Sequence, residues 1–472
     1  MNVKLGNEVI NNINTVQLED ADNADSYIDF KAEGGGAIPI NGTLRSYQVN
    51  DEANVEVGDF VEFVHKHGAG EIEADATSRV CARLMPNNRV AVLYYVNTTY
   101  KIAILSFNGN SLITGESYTL PTASYAAMGI LSENELFVSY TVDSTGIYST
   151  VLSVSGTTIT EKIASTLCEN AYTYSALTCD KIADGKVLLH FVDNKNNYAG
   201  LSYLRIEITN NAISYDTITQ IFRGYNTYSG GYGERYTLES HIFSTEIADG
   251  IIACSFSYTY DYNSHYASSG GSHSGSGSYT KIFITKLADG NYIKNTNTVL
   301  SSAAKDIVIA PINDTRIAFA SSGAIYTYGL SGVTLSIGGQ LNASSTINTL
   351  GKSAMMRVSE NRIAFCTKST FRVYNVTSST PALLYSATIP MTGTTNHVSV
   401  VPYSETSGLI VREGSTCSFM VYELTDTGVT FISNTNTTNG TFVKPATSSL
   451  YNVGIAKQSG TAGQSVEVYC AT

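Results

Sequence analysis

One phrase recurs seven times along this chain of 472 residues: an apolar residue, a short polar turn, an apolar strand, a gap, then a second strand. Its anchors are Leu84, Leu131, Ile182, Ile247, Ile312, Val358 and Tyr403, spaced by 47, 51, 65, 65, 46 and 45 residues. A period near 46 with two insertions accounts for every interval. Self-similarity on this scale marks architectures whose units bury their faces only against neighbouring copies. The turns carry Asn87-Asn88, Asp184-Gly185 and Asp249-Gly250, which supply the positive-φ positions of tight hairpins, between runs rich in Val, Ile, Tyr and Phe. The first copy reads as strands over 78–84, 89–96, 101–107 and 111–120. Four strands in one period form the blade of a β-propeller.

A shortened eighth copy is expected at 451–457 and 465–470, where the chain stops before an outer strand. Because an unpaired strand edge templates aggregation, an upstream segment, 60–64 or 71–74, is expected to complete that blade. The fold expected is therefore all-β: a β-propeller of eight, alternatively seven, four-stranded blades, preceded by a small N-terminal β-rich attachment arm. The arm is assigned to 1–70 and the propeller, closed by pairing of its N- and C-terminal strands, to 71–472. Within the arm, Gly34-Gly35-Gly36 reads as a hinge, and 46–50 and 55–64 as two strands of a β-module.

Only 14% of the residues are charged and 43% are hydrophobic, which is enough to bury a core. A net charge of −12 without a dense basic run argues against nucleic acid as a partner. No apolar run approaches the roughly 18 residues of a membrane span, so no membrane insertion is expected. Met1 to Ile10 lacks the basic-then-apolar pattern of a secretory signal, and folding in a cytoplasm is expected. The seven cysteines lack any Cys-x-x-Cys spacing and several sit in apolar strands, so they read as buried free thiols.

Sites for chemistry are sparse. The acidic run from Asp20 to Asp25 lacks the glycine and terminal glutamate of a calcium loop and reads as solvated. His65 and His67 could share a strand face, but no third metal ligand is in reach by sequence. His190 and His397 lie in strand contexts, where a satisfied core histidine is the ordinary outcome. No Gly-x-Ser-x-Gly elbow, Trp-Asp repeat signature or sialidase-type Asp box is present, and there is no Trp. No catalytic residue, metal or cofactor is assigned.

The two insertions, 223–236 and 257–280, hold nine of the 32 tyrosines in a Gly/Ser background. The first follows the last strand of one blade and the second follows the second strand of the next, so both emerge on one rim. Tyr with Gly and Ser is the composition of adaptable recognition loops. Tyr225, Tyr228, Tyr232, Tyr236, Tyr258, Tyr260, Tyr262, His265, Tyr266 and His273 are accordingly the candidate ligand-binding residues. The competing reading is a surface loop whose tyrosines cover the blade edge.

Tyr47-Gln48-Val49-Asn50 followed by Val57-Gly58-Asp59-Phe60-Val61-Glu62-Phe63 resembles a phrase near the start of structural proteins of tailed bacteriophages and prophages of Gram-positive hosts. The run of blades, with phrases such as Leu152-Ser153-Val154-Ser155-Gly156, resembles virion propellers. The resemblance implies a tail or head-fibre component, present in multiple copies, assembled in the bacterial host cytoplasm and exposed on the particle. It implies attachment to other virion proteins through the N-terminal arm, with the propeller carried outward; together with the Tyr-rich rim, the expectation is a non-enzymatic component that binds a host-surface glycan or protein through that rim. An architectural decoration protein and a polysaccharide-degrading enzyme with converging axial carboxylates are the alternatives.

Overall fold

In each repeat the second strand is an almost unbroken apolar run, as in Arg89–Val96 and Glu135–Val142, and such strands must be covered on both faces. The computed structural model shows how. Seven antiparallel sheets stand side by side, and each apolar cluster lies between neighbouring sheets. The outer strands alternate instead, because one face meets water, as in Asn291–Leu300. The described residues are 2–5, 8–11, 29–32, 36–39, 42–49, 60–63, 442–445, 454–456, 459, 465–471 and most of 68–432. Within that last span the description omits 87–88, 108–111, 143–144, 170–173, 194–197, 226–232, 239–241, 266–271, 301–306, 322–323, 343–354, 368, 392–394 and 426. Among the described residues there is no helix, hence none long and apolar enough to cross a membrane.

The protein is a seven-bladed β-propeller, the second of the two blade counts expected. Blade 1 runs outward from the axis as Thr77–Met85, Arg89–Val96 and Thr99–Phe107, with Leu112–Thr114 and Tyr118–Thr119 sharing the outer position. Blade 2 comprises Tyr125–Ser132, Glu135–Val142, Gly146–Ser155 and Thr158–Glu169. Blade 3 comprises Tyr174–Ala183, Lys186–Asp193 and Tyr198–Thr209, its outer position shared by Ala212–Tyr215 and Thr219–Tyr225. Blade 4 comprises Phe243–Ala248, Ile251–His265, Ser272–Ala288 and Asn291–Leu300. The inner strands of blades 5, 6 and 7 are Val308–Asn313, Met355–Ser359 and Thr395–Pro402. Contacts between successive inner strands close the ring. The predicted turn glycines Gly185 and Gly250 take φ of 65° and 73°, as two-residue hairpins require.

Closure differs from the expectation in one respect. The segment at 71–74 does complete a blade, but the seventh: Ala69–Glu73 pairs with Cys417–Leu424 beside the outer strand Val429–Ile432. Polar ties cross the seam to blade 1. Glu413 accepts from the Val80 amide at 2.7 Å, Lys101 pairs with Glu73 at 2.8 Å, and Asn97 donates to Asp75 at 2.7 Å.

The expected eighth blade does not form. Gly454–Ala456 and Ser465–Ala471 pair with each other, with Phe60–Phe63 and with Gly42–Val49, and Phe442–Pro445 completes a closed five-stranded barrel. The physical reason is the long register that Gly42–Val49 offers to Ser465–Ala471, which removes the open edge without a propeller. The chain thus divides into two units. One comprises 1–67, 109–111 and 434–472, and the other, the propeller, comprises 68–108 and 112–433. The segment 434–472, which the repeat pattern attaches to the propeller, belongs to the first unit. That unit also holds two short hairpins, Asn2–Leu5 with Glu8–Asn11 and Asp29–Ala32 with Gly36–Pro39. Of the glycine triplet expected to be a hinge, Gly36 begins a strand of the second hairpin, and Gly34 and Gly35 lie outside the described residues. The acidic run Asp20 to Asp25, His65 and His67 lie outside the described residues.

Candidate functional site

The two tyrosine-bearing insertions do meet, and they meet as sheet rather than as loops. Ile251–His265 and Ser272–Ala288 form one hairpin paired in unbroken register from Ile251↔Lys286 to His265↔Ser272. The first insertion contributes Gly233–Leu238, which adds antiparallel to Tyr258–Asn263. A three-stranded extension therefore grows out of blade 4.

Alternation sorts its side chains onto two faces. One face carries Phe256, Tyr258, Tyr260 and Tyr262, flanked by Tyr236 on one strand and by Gly275, Gly277, Tyr279 and Lys281 on the other. The opposite face carries Ser255, Ser257, Thr259 and Asp261 against Ser276, Ser278 and Thr280, with a hydroxyl pair between Ser257 and Thr280 at 2.9 Å.

The aromatic face forms a stacked series. Phe222, from the outer strand of blade 3, stacks on Tyr258 with centroids 4.3 Å apart. Tyr236 lies 5.7 Å from Tyr260, Tyr279 lies 6.1 Å from Tyr260 and parallel to it, and Tyr262 follows at 6.3 Å. Lys281 places its ammonium 5.5 Å from the Tyr258 ring, within cation–π range. Gly275 and Gly277 make room for the outer rings. A Cβ on either would stand 2.5 Å from the ring of Tyr262 or Tyr260. Gly224 of blade 3 serves likewise, since a Cβ there would lie 2.2 Å from Tyr236.

Exposure rises outward along the strand. Tyr258 is 7% exposed and belongs to the apolar cluster between blades 3 and 4, Tyr260 is half-buried, and Tyr262 is 38% exposed. The inner tyrosines thus cover the blade edge, and the outer ones present rings and hydroxyls to solvent. The neighbouring Tyr279 phenol holds Tyr260 above the ordinary phenol range, so this hydroxyl stays neutral at physiological pH.

Of the ten candidate residues, Tyr236, Tyr258, Tyr260 and Tyr262 stand together on this face. Tyr225, His265 and His273 are placed by backbone pairing alone: His273 is opposite Ser264, and Tyr225 pairs with Tyr198 in blade 3. Tyr228, Tyr232 and Tyr266 lie outside the described residues. Phe222, Tyr279, Gly275 and Gly277 complete the face and were not among the candidates. Their signal was present as Tyr-x-Tyr-x-Tyr facing Gly-x-Gly-x-Tyr, a period of two in both arms of one hairpin.

The axis holds a second polar cluster. Arg83 of blade 1 reaches Asp180 of blade 3 at 3.5 Å and donates to the Ser244 carbonyl of blade 4 at 3.2 Å. Ser244 donates its hydroxyl to Asp180 and shares a hydrogen bond with Thr178 at 2.8 Å. Burial pushes the Asp180 carboxyl up, and Arg83 opposes that shift. Glu246 is raised by burial first and by Asp180 next. Among the described residues no group of three His, Cys, Asp or Glu side chains is arranged to hold a metal.

His190 is buried, but neither ring nitrogen has a hydrogen-bond partner, so it is not the satisfied core histidine expected. Cys168, Cys179, Cys254, Cys366 and Cys417 are buried free thiols, and burial raises each.

No family of known proteins and no curated protein matches this chain. Solved structures resemble it at low identity. KlHsv2 with a loop replaced by a Gly-Ser linker is 12% identical at a TM-score of 0.44, over 77% of this chain and 98% of that one. Sqt1 from Chaetomium thermophilum is 11% identical at 0.40, over 77% and 100%. A mutant α-L-arabinofuranosidase from Fusarium graminearum, in complex with an iminosugar inhibitor, is 11% identical at 0.40, over 75% and 97%.

Proposed function

We propose that this protein is a non-enzymatic component of a phage-type particle and binds a host-surface ligand, glycan or protein, through the tyrosine face of the blade 4 extension. The observation that carries the reading is the graded aromatic face, anchored at Phe222 and Tyr258 and open at Tyr260 and Tyr262. Tyrosine supplies large contact area with few torsions to freeze, and its hydroxyl pairs with sugar or peptide groups. Each such hydrogen bond contributes about 0.5–1.5 kcal/mol net, so useful avidity comes from many copies on one particle. The axial carboxylate Asp180 is engaged by Arg83 and Ser244, which speaks against an axial acid pair at work in hydrolysis.

The test is adsorption of arrayed full-length protein to Gram-positive cell walls, comparing a Tyr260→Ser/Tyr262→Ser variant with wild type. Adsorption is expected to fall about tenfold or more, since two stacked contacts of 0.5–1.5 kcal/mol each are lost in every copy. The unfolding temperature should fall by only a few degrees, because Tyr262 is exposed and Tyr260, packed against the apolar cluster between blades 3 and 4, is only half-buried. Unchanged adsorption would sink the reading.

One observation favours the architectural alternative. Ser272–Tyr279 has no partner on its outer edge among the described residues, because pairing with Asn291–Leu300 begins at Thr280. An uncharged open edge suits strand addition by a neighbouring subunit. Loss of particle stability, with adsorption intact, on adding lysines at Ser274 and Ser276 would favour it.

A further inference from the structure

The inner strand of blade 1, Thr77–Met85, carries two arginines, Arg79 and Arg83, that border one small cavity of about 30 Å³ at the axis. Cys81, Tyr100, Tyr125 and Thr178 also line it, and no carboxylate does. The two guanidiniums differ in how their charge is met. Arg83 faces Asp180 at 3.5 Å. Arg79 has only neutral neighbours among the described residues: it donates to the Tyr100 hydroxyl at 3.1 Å and to the Ser124 carbonyl, and the rings of Tyr125 and Tyr95 stand 4.6 and 5.4 Å from it. Two cations and one carboxylate leave one positive charge over.

The backbone is bent to put it there. The pairing register slips between Ser78 and Cys81, and within that bulge Arg79 takes a left-handed φ of 55°. Bulges re-aim side chains, and a left-handed conformation is unfavourable in a residue other than glycine. The Arg79 side chain is itself exposed to solvent, so its charge can be reached by an incoming anion. Beside it, the Nε of Arg83 is buried without a hydrogen-bond partner. Strain, unmatched charge and an orphaned donor therefore converge on one cavity.

We infer that this cavity is a binding site for a small carboxylate. A guanidinium presents paired N–H donors that match a carboxylate's two oxygens, and with Asp180 a second negative charge would balance the two arginines. The volume admits a group little larger than a water molecule or two, which selects formate- or acetate-sized anions over sulfate or phosphate. The site lies on the inner strands and does not rest on the reading of the tyrosine face.

The experiment is a titration of the full-length protein with ¹³C-formate at constant ionic strength, following line broadening of the formate signal, with sulfate as the size control. Wild type should give saturable broadening that sulfate does not displace. Arg79→Gly removes the guanidinium while accepting the left-handed backbone, and should weaken binding by about tenfold or more, the loss of one charge-assisted pair, with the unfolding temperature kept or raised. Arg79→Lys keeps the charge without the fork and should bind between the two. Absence of saturable broadening in wild type, or formate binding unchanged in Arg79→Gly, would overturn the inference, as would equal displacement by sulfate.

Discussion

His190 shows most directly what a single side chain does in this interior. It lies between Tyr203 and Phe283, with ring centroids 6.0 and 6.2 Å away, and neither nitrogen is hydrogen-bonded. Burial lowers its pKa to about 3. An unfolded histidine titrates near 6.5, so between these values the unfolded chain binds a proton that the folded chain does not. Stability therefore rises with pH across that window and is lost as pH falls from 6.5 toward 3, by at most about 1.4 kcal/mol per unit from this group. His190→Leu should flatten this part of the acid limb. Urea denaturation at pH 7 and pH 4.5 checks it: the difference between the two conditions should shrink by about 2 kcal/mol in the variant. An unaltered difference would mean that the ring finds a partner in solution.

At the scale of elements, strands far apart in sequence are tied where their polar groups meet. The Arg83–Asp180 pair links the inner strands of blades 1 and 3, and Ser244 brings in blade 4. Removing one member leaves the other buried and uncompensated, at a cost of about 3–5 kcal/mol, whereas replacing both by apolar groups of similar size is often neutral. Asp180→Ala should therefore lower stability severely, and Arg83→Met/Asp180→Leu much less than Asp180→Ala alone. Chemical denaturation of the three proteins reads this directly. If the double variant is as weak as Asp180→Ala, the arginine holds the axis through its carbonyl bond rather than the ion pair. The blade 4 extension follows a related logic, since its aromatic face is built by cross-strand pairs and by glycines placed where rings lie flat.

For the whole molecule, closure is a matter of pairing the last edge. Ala69–Glu73 completes blade 7 against Cys417–Met420, and the seam is reinforced by Glu413, Lys101 and Glu73. Lys101 holds the Glu73 carboxyl below its ordinary range, so this tie persists from neutral pH down toward acid and is lost as pH falls through that lowered value. All seven blades and the closing strand fall within 68–433. That segment expressed alone should unfold in one cooperative transition by circular dichroism. A version starting at 77 should unfold at least several degrees lower, because half of an outer position is then vacant and its edge is open. Equal melting of the two would show that closure depends on side-chain packing between blades and not on the shared strand.

The seven copies, their turns and the place of the two insertions were legible in the residues, because hairpin pairing is local. Asp184-Gly185 and Asp249-Gly250 form tight turns through their own backbone preferences, and Arg89–Val96 announces two-sided burial by its unbroken apolar run. The tyrosines could be placed on one rim for the same reason, but not recognised as sheet, since Gly233–Leu238 joins the hairpin across a gap whose pairing no local pattern encodes. Tertiary structure alone decided the partners of the chain's two ends. The segments 60–63, 69–73, 454–456 and 465–471 are all competent strands, and alternation specifies a face but not a distant edge. Which edge each strand takes depends on which unpaired backbone lies beside it after folding: the barrel for Ser465–Ala471, the seventh blade for Ala69–Glu73. The bare imidazole of His190 and the unmatched charge of Arg79 were invisible for a similar reason. Whether a polar group is satisfied depends on atoms brought to it from other blades.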